Sequence, residues 1–323
     1  MSARHAAPAS GDTDAVPPTP IVLDCDPGHD DAIALLLALA SPEVDLLAVT
    51  TTYGNQTLEK TTANAIRVLD LVGRDDVLVA AGAERPLVRE VEVAAHVHGD
   101  SGLDGPVLPS PSRGPAPEDA VAAIRACVAG SDRPVTLIPV GPLTNTARYL
   151  EAHGTEGLER IVVMGGSIAE GNITPAAEFN IWADPEAAQR VFHSGADVTM
   201  VGLDVTHRAV TTAEVERRLR AGGTVGVFVA DLVDFFSVYH QRTYGWDGAP
   251  IHDAVAMAQV VRPGIVATEL RNVEVELRSE LCRGRTVVDR WNRTGRPANV
   301  HVGVDLDRDA FFDLLVERIA SLG

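Results

Sequence analysis

The stretch "DCDPGHDD", Asp24 to Asp31, places four carboxylates in eight positions between two apolar runs. The run "IVL" precedes it, and "AIALLLALA" follows it without a single charge. This pattern predicts a buried strand, a tight Pro-Gly turn and a helix. Four like charges folded against apolar segments raise one another's pKa or destabilise the chain, so a positive group is needed to offset them.

Outside this stretch, apolar runs rich in β-branched residues alternate with helical periodicity. Strands are predicted at residues 20–26, 44–51, 77–80, 135–140, 160–164 and 198–203, and helices near residues 31–40, 57–73, 117–129, 142–151, 184–194 and 212–220. Such alternation implies right-handed βαβ crossovers. We therefore predict an α/β fold with an open, mostly parallel, Rossmann-like sheet and helices on both faces.

The C-terminal third has a different pattern. Residues 224–262 predict two helices interrupted at "YGWDGAP". The segments "VATELRNVEVEL", "RTVVDR" and "ANVHVGV" then predict short strands, either a small antiparallel appendage or a sheet edge, and residues 307–322 predict an amphipathic closing helix. Without internal repeats or a long linker, residues 20–323 are expected to form a single domain after a disordered tail over residues 1–19.

The composition of the chain limits the classes of partner that it can bind. The formal net charge of −18 repels the phosphates of nucleic acids and anionic membrane surfaces, so we expect neither as a partner. The longest apolar run is too short to span a bilayer, and the N-terminus lacks the apolar region of a secretory signal. Three widely spaced cysteines suggest neither a zinc site nor a disulfide framework. We expect a cytoplasmic protein that binds a small molecule.

Polar, glycine-rich segments follow several predicted strands. "TTYGNQT" carries Asn55, "PVGPLTN" follows the fourth strand, and "MGGSIAEGNITPAAEFN" carries Asn172, Glu178 and Asn180. Because ligands of open parallel sheets bind outside the carboxyl ends of the strands, these segments predict a binding site at that edge.

The acidic stretch predicts a metal ion at the same edge. The turn at Pro27 and Gly28 lets Asp26 and Asp31 point at a common spot, and carboxylate oxygens without nearby Cys or His suit calcium or magnesium. The alternative is a cluster of acids that caps the following helix, which explains one aspartate more easily than four. Asp253, in "GAPIHDAVAMA", is either a further cap or a third carboxylate ligand.

These motifs together resemble the inosine-uridine-preferring nucleoside hydrolase family. The resemblance rests, in order from about residue 20 to 262, on "DCDPGHDDAIALLLA", "TTYGNQTLEKTTANA", "HGDSGLDG", "GPLTN", "VVMGGS…GNITPAAEFNIWADPEAA" and "DGAPIHDAVA". It implies hydrolysis of the N-glycosidic bond of ribonucleosides to free base and ribose, with a tightly bound calcium ion. It also implies a homodimer or homotetramer.

The resemblance assigns residues to roles, motif by motif. The implied ligands of the ion are the side chains of Asp26, Asp31 and Asp253 and the backbone carbonyl of Val140. The implied sugar contacts are Asp30 for the 2′-hydroxyl, Asn55 and Asn180 for the ring hydroxyls, Asn172 and Glu178 for the 5′-hydroxyl, and Met164 beneath the ring. Val140 stands where the family often has Thr, a change that a main-chain ligand tolerates.

Residue chemistry adds candidate catalytic groups. Cleavage of a ribosyl–base bond passes through an oxocarbenium-like state that carboxylates stabilise, and Asp26 is our candidate general base. His252, next to Asp253, is the residue to test as the acid for the departing base. His240 and Tyr244, at the end of the preceding helix, are predicted to line the base pocket or to relay protons, and His98, in "HGDSGLDG", is a further candidate for substrate binding.

Three other residues are interpreted as structural: His207 after the sixth strand, Trp182 in the core, and Cys25 as a small buried filler. A haloacid-dehalogenase-like phosphatase is a rival interpretation, since it also opens with a strand and Asp-x-Asp. Here Pro-Gly follows that motif, and the chain's single lysine, Lys60, comes too soon after it. A non-catalytic calcium- or riboside-binding protein is the other alternative. Base preference stays open, with a lean to the inosine/uridine type.

Overall fold

The computed structural model describes residues 17–323. Its strands are β1 (Thr19–Cys25), β2 (Val44–Thr51), β3 (Leu78–Ala81), β4 (Val135–Pro139), β5 (Leu158–Met164), β6 (Val198–Val201), β7 (Val266–Arg271), β8 (Val273–Val275), β9 (Thr286–Val288) and β10 (Val300–Leu306). Its helices are α1 (His29–Ala40), α2 (Leu58–Leu71), α3 (Ala95–His98), α4 (Ala120–Gly130), α5 (Thr144–His153), α6 (Phe179–Ala183), α7 (Pro185–Phe192), α8 (Leu203–Thr206), α9 (Ala213–Arg220), α10 (Gly223–Tyr244), α11 (His252–Val261) and α12 (Arg308–Ala320).

Strand β1 lies in the middle of the main sheet. It pairs in parallel with β2 on one side and with β4 on the other. Its residues Ile21, Val22 and Leu23 are fully buried because helices cover both faces of the sheet. A strand buried on both faces needs a continuous apolar sequence, which is the reason for the run before Asp24.

The main sheet has eight strands in the order β3-β2-β1-β4-β5-β6-β10-β7. All pairs are parallel except β7 with β10. The chain runs outward from β1 through β2 and β3, then crosses back to β4 and runs the other way. The topological switch point therefore lies between β1 and β4, where such sheets open a crevice at their carboxyl ends.

Helix α1 explains the uncharged run after the acidic stretch. Residues Ala32–Leu37 are at most 1% exposed, because α1 packs against α11 while its other sides meet the sheet and α12. A helix buried all round carries no polar face.

The predicted α/β class and mostly parallel sheet are confirmed, and the C-terminal strands take both of the predicted forms. β10 and β7 extend the main sheet as its edge, whereas β8 and β9 form a separate two-stranded antiparallel sheet. The short helices α3, α6 and α8 were not predicted, because four or five residues are too few to show a helical period.

The structure does not test two predictions about the organisation of the chain. Most of the predicted disordered tail, residues 1–16, lies outside the described residues, and the single domain over residues 20–323 stays a prediction. Within residues 17–323, no helix combines the length and the apolar character needed to cross a membrane.

Candidate active site

The acidic turn is held by its own backbone. Asp31, in the first turn of α1, accepts hydrogen bonds from the backbone N–H of Asp26 (2.9 Å) and of Gly28 (3.0 Å). A Cβ on Gly28 would collide with the imidazole of His98 and the amide of Asn55, so only glycine lets these side chains approach. The Pro-Gly turn therefore brings the end of β1 and the start of α1 to one point.

The four carboxylates of the opening stretch divide into two groups. Asp24 is fully paired: Thr50 Oγ1 (2.7 Å) and Asn145 Nδ2 (2.8 Å) donate to its Oδ1, and Thr146 Oγ1 (3.3 Å) donates to its Oδ2. Burial raises the pKa of Asp24 to about 6 against the lowering effect of these bonds. It supports the site from below, whereas Asp30 lines the pocket and Asp26 and Asp31 lie just beneath its surface.

Asp253 joins the acidic turn from another part of the chain. It lies in the first turn of α11, and one carboxylate oxygen each of Asp30, Asp31 and Asp253 lie within 4.8 Å of one another. All three side chains are at most 5% exposed. Burial, and then the neighbouring charge of Asp31, raises the pKa of Asp30 to about 8. Burial and the charges of Asp30 and Asp31 raise the pKa of Asp253 well above its usual range.

The residues of this cluster fit a hard cation. Asp26 Oδ2 accepts from the backbone N–H of Asn55 (2.7 Å), but Asp26 Oδ1 is buried without a hydrogen-bond partner among the described residues. A Cβ on Gly141 would run into this oxygen, so glycine keeps the space beside it free. The next carbonyl along the edge, that of Val140, accepts from Asn180 Nδ2 (2.7 Å) and from no other donor among residues 17–323, so it keeps a lone pair. Such an oxygen set suits calcium or magnesium.

A pocket of about 700 Å³, counted out to its open mouth, lies above the cluster. The residues predicted for the sugar, the base and the leaving group all line it: Asp30, Asn55, His98, Met164, Asn172, Glu178, Asn180, His240, Tyr244 and His252. Of the predicted ion ligands, Val140 and Asp253 also line it, while Asp26 and Asp31 lie below its surface.

One end of the pocket is built around the start of α6. Glu178 caps this helix: its carboxylate accepts from the backbone N–H of Asn180 (2.8 Å), Gly166 (2.9 Å) and Ile181 (3.1 Å). Burial nevertheless raises the pKa of Glu178 to about 7. Asn172 Oδ1 accepts from the backbone of Phe179 at 2.9 Å, so three predicted sugar-binding side chains share one locally braced segment.

The other end of the pocket is aromatic. His240 Nδ1 lies 2.9 Å from the carbonyl oxygen of Phe236, to which it must donate, and burial lowers the pKa of His240 to about 4. Its ring stacks on Tyr244 and Trp246, with centroids 5.8 and 5.9 Å away. His252 Nδ1 lies 2.7 Å from Thr206 Oγ1, which leaves Nε2 for the pocket.

Several residues that line the pocket were not predicted from the sequence. His207, interpreted as structural, lines the pocket and lies 5.6 Å from His252 between ring centroids. Its place after the sixth strand could have revealed it by the strand-end rule. Tyr239 and His96 also line the pocket.

Of the other residues interpreted as structural, Cys25 is buried as predicted. Trp182 is not a core residue: it is half-buried, with the guanidinium of Arg283 4.6 Å from its ring centroid.

Fold and site together define an α/β enzyme with a carboxylate cluster for a metal ion at the switch point of its sheet. The chain belongs to the inosine-uridine preferring nucleoside hydrolase family, whose model matches residues 21–313. It is a nucleoside hydrolase, which cleaves the N-glycosidic bond of ribonucleosides and belongs to a metal-dependent family. The predicted family and enzyme class are confirmed.

Curated relatives match over almost the whole chain. The pyrimidine-specific ribonucleoside hydrolase RihA of Shewanella sp. (strain MR-7) is 52% identical over 305 residues, which are 93% of this chain and 96% of that protein. The protein of the same name from Photobacterium profundum is 50% identical over 306 residues, 94% of this chain and 99% of that protein.

Solved structures agree with this family. A purine-preferring ribonucleoside hydrolase from Gardnerella vaginalis superposes with a TM-score of 0.88 at 34% identity, covering 94% of this chain and 99% of that one. The plant nucleoside hydrolase PpNRh1 also gives a TM-score of 0.88, at 33% identity and with 94% and 100% of the two chains covered.

Proposed function

We propose that this enzyme is a calcium-dependent hydrolase with a preference for pyrimidine ribonucleosides. The observation that carries the metal dependence is the unpaired, buried Oδ1 of Asp26 beside three carboxylates with raised pKa values. Without a cation this arrangement is costly, since buried charges normally have partners. The pyrimidine preference rests on the relatives named pyrimidine-specific ribonucleoside hydrolases, which are about half identical to this chain.

Asp26, Asp31, Asp253 and the carbonyl of Val140 would hold the ion. Calcium accepts six to eight oxygens in flexible geometry and takes carboxylates and backbone carbonyls together, whereas magnesium keeps several waters. When bound, the ion would fix the vicinal ribose hydroxyls and lower the pKa of a bound water. Asp30, whose oxygen lies in the same cluster, would bind the 2′-hydroxyl.

Asp26 Oδ1 would accept the proton of the attacking water. The backbone N–H of Asn55 donates to Oδ2, which leaves Oδ1 without a partner among the described residues. Burial and the charge of Asp31 raise the pKa of Asp26, and a bound cation would oppose this shift and keep the carboxylate ionised, as a general base requires.

The other pocket residues would orient the sugar. Asn55 and Asn180 would bind the ring hydroxyls, and Asn172 and Glu178 would bind the 5′-hydroxyl, with Met164 packed beneath the ring. The side chains of Asn172, Glu178 and Asn180 are already braced by backbone hydrogen bonds, and that of Asn55 donates to Asp31, so little conformational entropy is lost on binding. The surrounding carboxylates would stabilise the positive charge that develops on the ribosyl ring.

His252 would protonate the departing base. Thr206 can donate its hydroxyl hydrogen to His252 Nδ1, which puts the ring proton on Nε2, the nitrogen left for the pocket. As the acid, His252 would have to be protonated on both ring nitrogens and become neutral on transfer; burial lowers its pKa, so this form becomes populated as the pH falls. His98, His240 and Tyr244 would contact the base. A homodimer or homotetramer and a cytoplasmic location remain predictions.

A panel of nucleosides tests the proposal. Purified enzyme is incubated with uridine, cytidine, inosine and 2′-deoxyuridine, with and without a calcium chelator, and released reducing sugar is measured. We expect release from the ribonucleosides, fastest for uridine and cytidine, and loss of activity after calcium removal that calcium restores. Asp26→Asn should lower kcat by about 100-fold or more. The matched control Asp76→Asn, at an exposed ion pair with Arg74, should keep full activity.

Four results would each contradict a different part of the proposal. Equal cleavage of 2′-deoxyuridine would overturn the diol-dependent mechanism, and full activity in chelator would overturn the metal dependence. Calcium and uridine binding without any sugar release would instead favour a non-catalytic binding protein. Faster release from inosine than from either pyrimidine nucleoside would overturn the base preference.

A further inference from the structure

His29 lies in the acidic turn but has none of the roles above. Its ring is inserted between Phe235 and Phe236 of α10, stacked on both with centroids 5.1 and 5.3 Å away and nearly parallel planes. Its Nε2 lies 2.8 Å from the carbonyl oxygen of Asp104, and its Nδ1 lies 3.1 Å from Nδ1 of the pocket residue His98. Each ring nitrogen of His29 therefore has one neighbour.

The carbonyl of Asp104 fixes the tautomer of His29. A carbonyl oxygen only accepts, so the close contact requires a proton on His29 Nε2. The ring is buried between two apolar rings, an environment that favours the neutral imidazole over the charged form. A neutral imidazole with Nε2–H carries a lone pair on Nδ1. His29 thus offers an acceptor to His98.

Two hydrogen-bond arrangements are open to His98 Nδ1. Its Nδ1 can donate to His29 Nδ1 at 3.1 Å, or it can accept from the backbone N–H of His29 at 3.3 Å. The first distance lies inside the usual range of protein hydrogen bonds and the second just outside it. The second choice would also leave two imidazole lone pairs facing each other at 3.1 Å. The first arrangement leaves the backbone N–H of His29 without an acceptor among the described residues, but it has the shorter contact and avoids this repulsion, so the balance favours it.

We propose that His29 is a positioning residue that holds His98 in the Nδ1–H tautomer and so makes His98 Nε2 a hydrogen-bond acceptor for the substrate. His98 lines the pocket, and its Nε2 has no hydrogen-bond partner within residues 17–323. In this tautomer His98 binds an N–H group of the nucleobase and cannot supply the proton for its departure. The acceptor role of His98 and the donor role of His252 are then separate.

Nitrogen NMR of the holoenzyme tests the tautomer directly. In protein labelled with ¹⁵N-histidine at neutral pH, the two ring nitrogens of a neutral histidine give well-separated signals according to which one carries the proton. The His98 signals are assigned from their loss in His98→Gln. We expect a protonated Nδ1 and a bare Nε2 on His98; the reverse pattern overturns the proposal.

Two substitutions of His29 separate the tautomer from packing. His29→Phe keeps the aromatic stack and removes the acceptor, so the backbone N–H at 3.3 Å becomes the remaining partner and His98 should switch to Nε2–H. His29→Asn weakens the stack but places an acceptor oxygen near the former Nδ1, and it should keep Nδ1–H. His153→Phe, on the surface of α5, should leave the His98 signals unchanged. An unswitched His98 in His29→Phe contradicts the proposal.

The kinetic consequence rests on the proposed function. Losing one acceptor for the base should lower kcat/KM for uridine about tenfold in His29→Phe, with partial recovery in His29→Asn. The NMR pattern does not depend on turnover. An inactive enzyme with the expected tautomer would therefore refute the proposed function alone, whereas the reverse tautomer in an active enzyme would refute this inference alone.

Discussion

Asp24 and Asp26 are two residues apart, one near the end of β1 and one just past it, yet their surroundings differ. Asp24 lies one layer deeper and is paired by Thr50 and Asn145 side chains. Asp26, just past the last strand residue, keeps one oxygen unpaired among the residues that the structure describes. Each buried carboxylate needs partners or a cation, so the same residue type becomes a support in one position and a candidate reactive group in the next.

Glu178 gives a prediction at the residue scale. Its pKa is raised by burial from 4.5 to about 7, so the folded state binds a proton more tightly than the unfolded state between these values. Its contribution to the free energy of unfolding is then fully present below pH 4.5. This contribution, roughly 3 kcal/mol, is lost as the pH rises to about 7. Glu178→Gln removes this titration.

The measurement compares urea unfolding of wild type and Glu178→Gln between about pH 4.5 and 8, in chelator. Gln can lose cap hydrogen bonds, so only the pH dependence of the difference is used. We expect the unfolding free energy of wild type to fall by roughly 3 kcal/mol relative to that of Glu178→Gln as the pH rises. Parallel curves would show that Glu178 does not titrate in this range.

At the scale of elements, the junction of α6 and α7 connects the pocket to the rest of the sheet. Asp184 is fully buried and accepts from Ala187 N in α7, Leu87 N and Thr144 Oγ1, at distances of 3.1, 2.9 and 2.7 Å. Thr144 begins α5, which follows the Val140 carbonyl. One side chain therefore joins three segments that surround the site.

Asp184→Ala should destabilise the protein by roughly 3 kcal/mol, because it removes a helix cap and leaves the buried Leu87 N–H and Thr144 hydroxyl without their partner. Asp119→Ala is the matched control: its exposed side chain caps α4 with one bond to Ala122 N, and its loss should cost about 1 kcal/mol. Denaturant unfolding measures both. Equal losses for the two variants would contradict the joining role of Asp184.

At the scale of the whole molecule, the acidic charge collects where two distant segments meet. Asp30 and Asp31 come from the N-terminal turn and Asp253 from α11, and the packing of α1 on α11 forces them together. The hydrophobic core thus drives the formation of an electrostatically unfavourable cluster. A cation that binds only this assembled state stabilises the fold.

Calcium at about 100 times its Kd should raise the unfolding free energy by about 3 kcal/mol and the Tm by roughly 5 °C or more over the chelated enzyme. Asp253→Asn should lose most of this shift, because one charge of the cluster is removed. Asp76→Asn, at the exposed pair with Arg74, should keep it. Differential scanning calorimetry measures the effect, and an undiminished shift in Asp253→Asn would exclude Asp253 as a ligand.

The sequence by itself determined the strand–turn–helix around Asp24–Asp31, the alternation of elements and the polar strand ends. These follow from periodicity and from covalent spacing over short distances. The motif resemblance supplied the ion and sugar residues, but not His207, Tyr239 or His96, which also line the pocket. Predicted strand and helix ends differ from the structure by at most three residues, as expected where helices fray.

Only the tertiary structure decided which carboxylates meet, which are paired and which tautomers the histidines adopt. Asp24 and Asp26 look equivalent in the chain, and the contact of His29 with His98 joins segments far apart in sequence. His207 was misread because its neighbours, His252 and Trp246, come from other elements. Hydrogen-bond partners and desolvation depend on the packed sheet and helices, so local sequence cannot specify them.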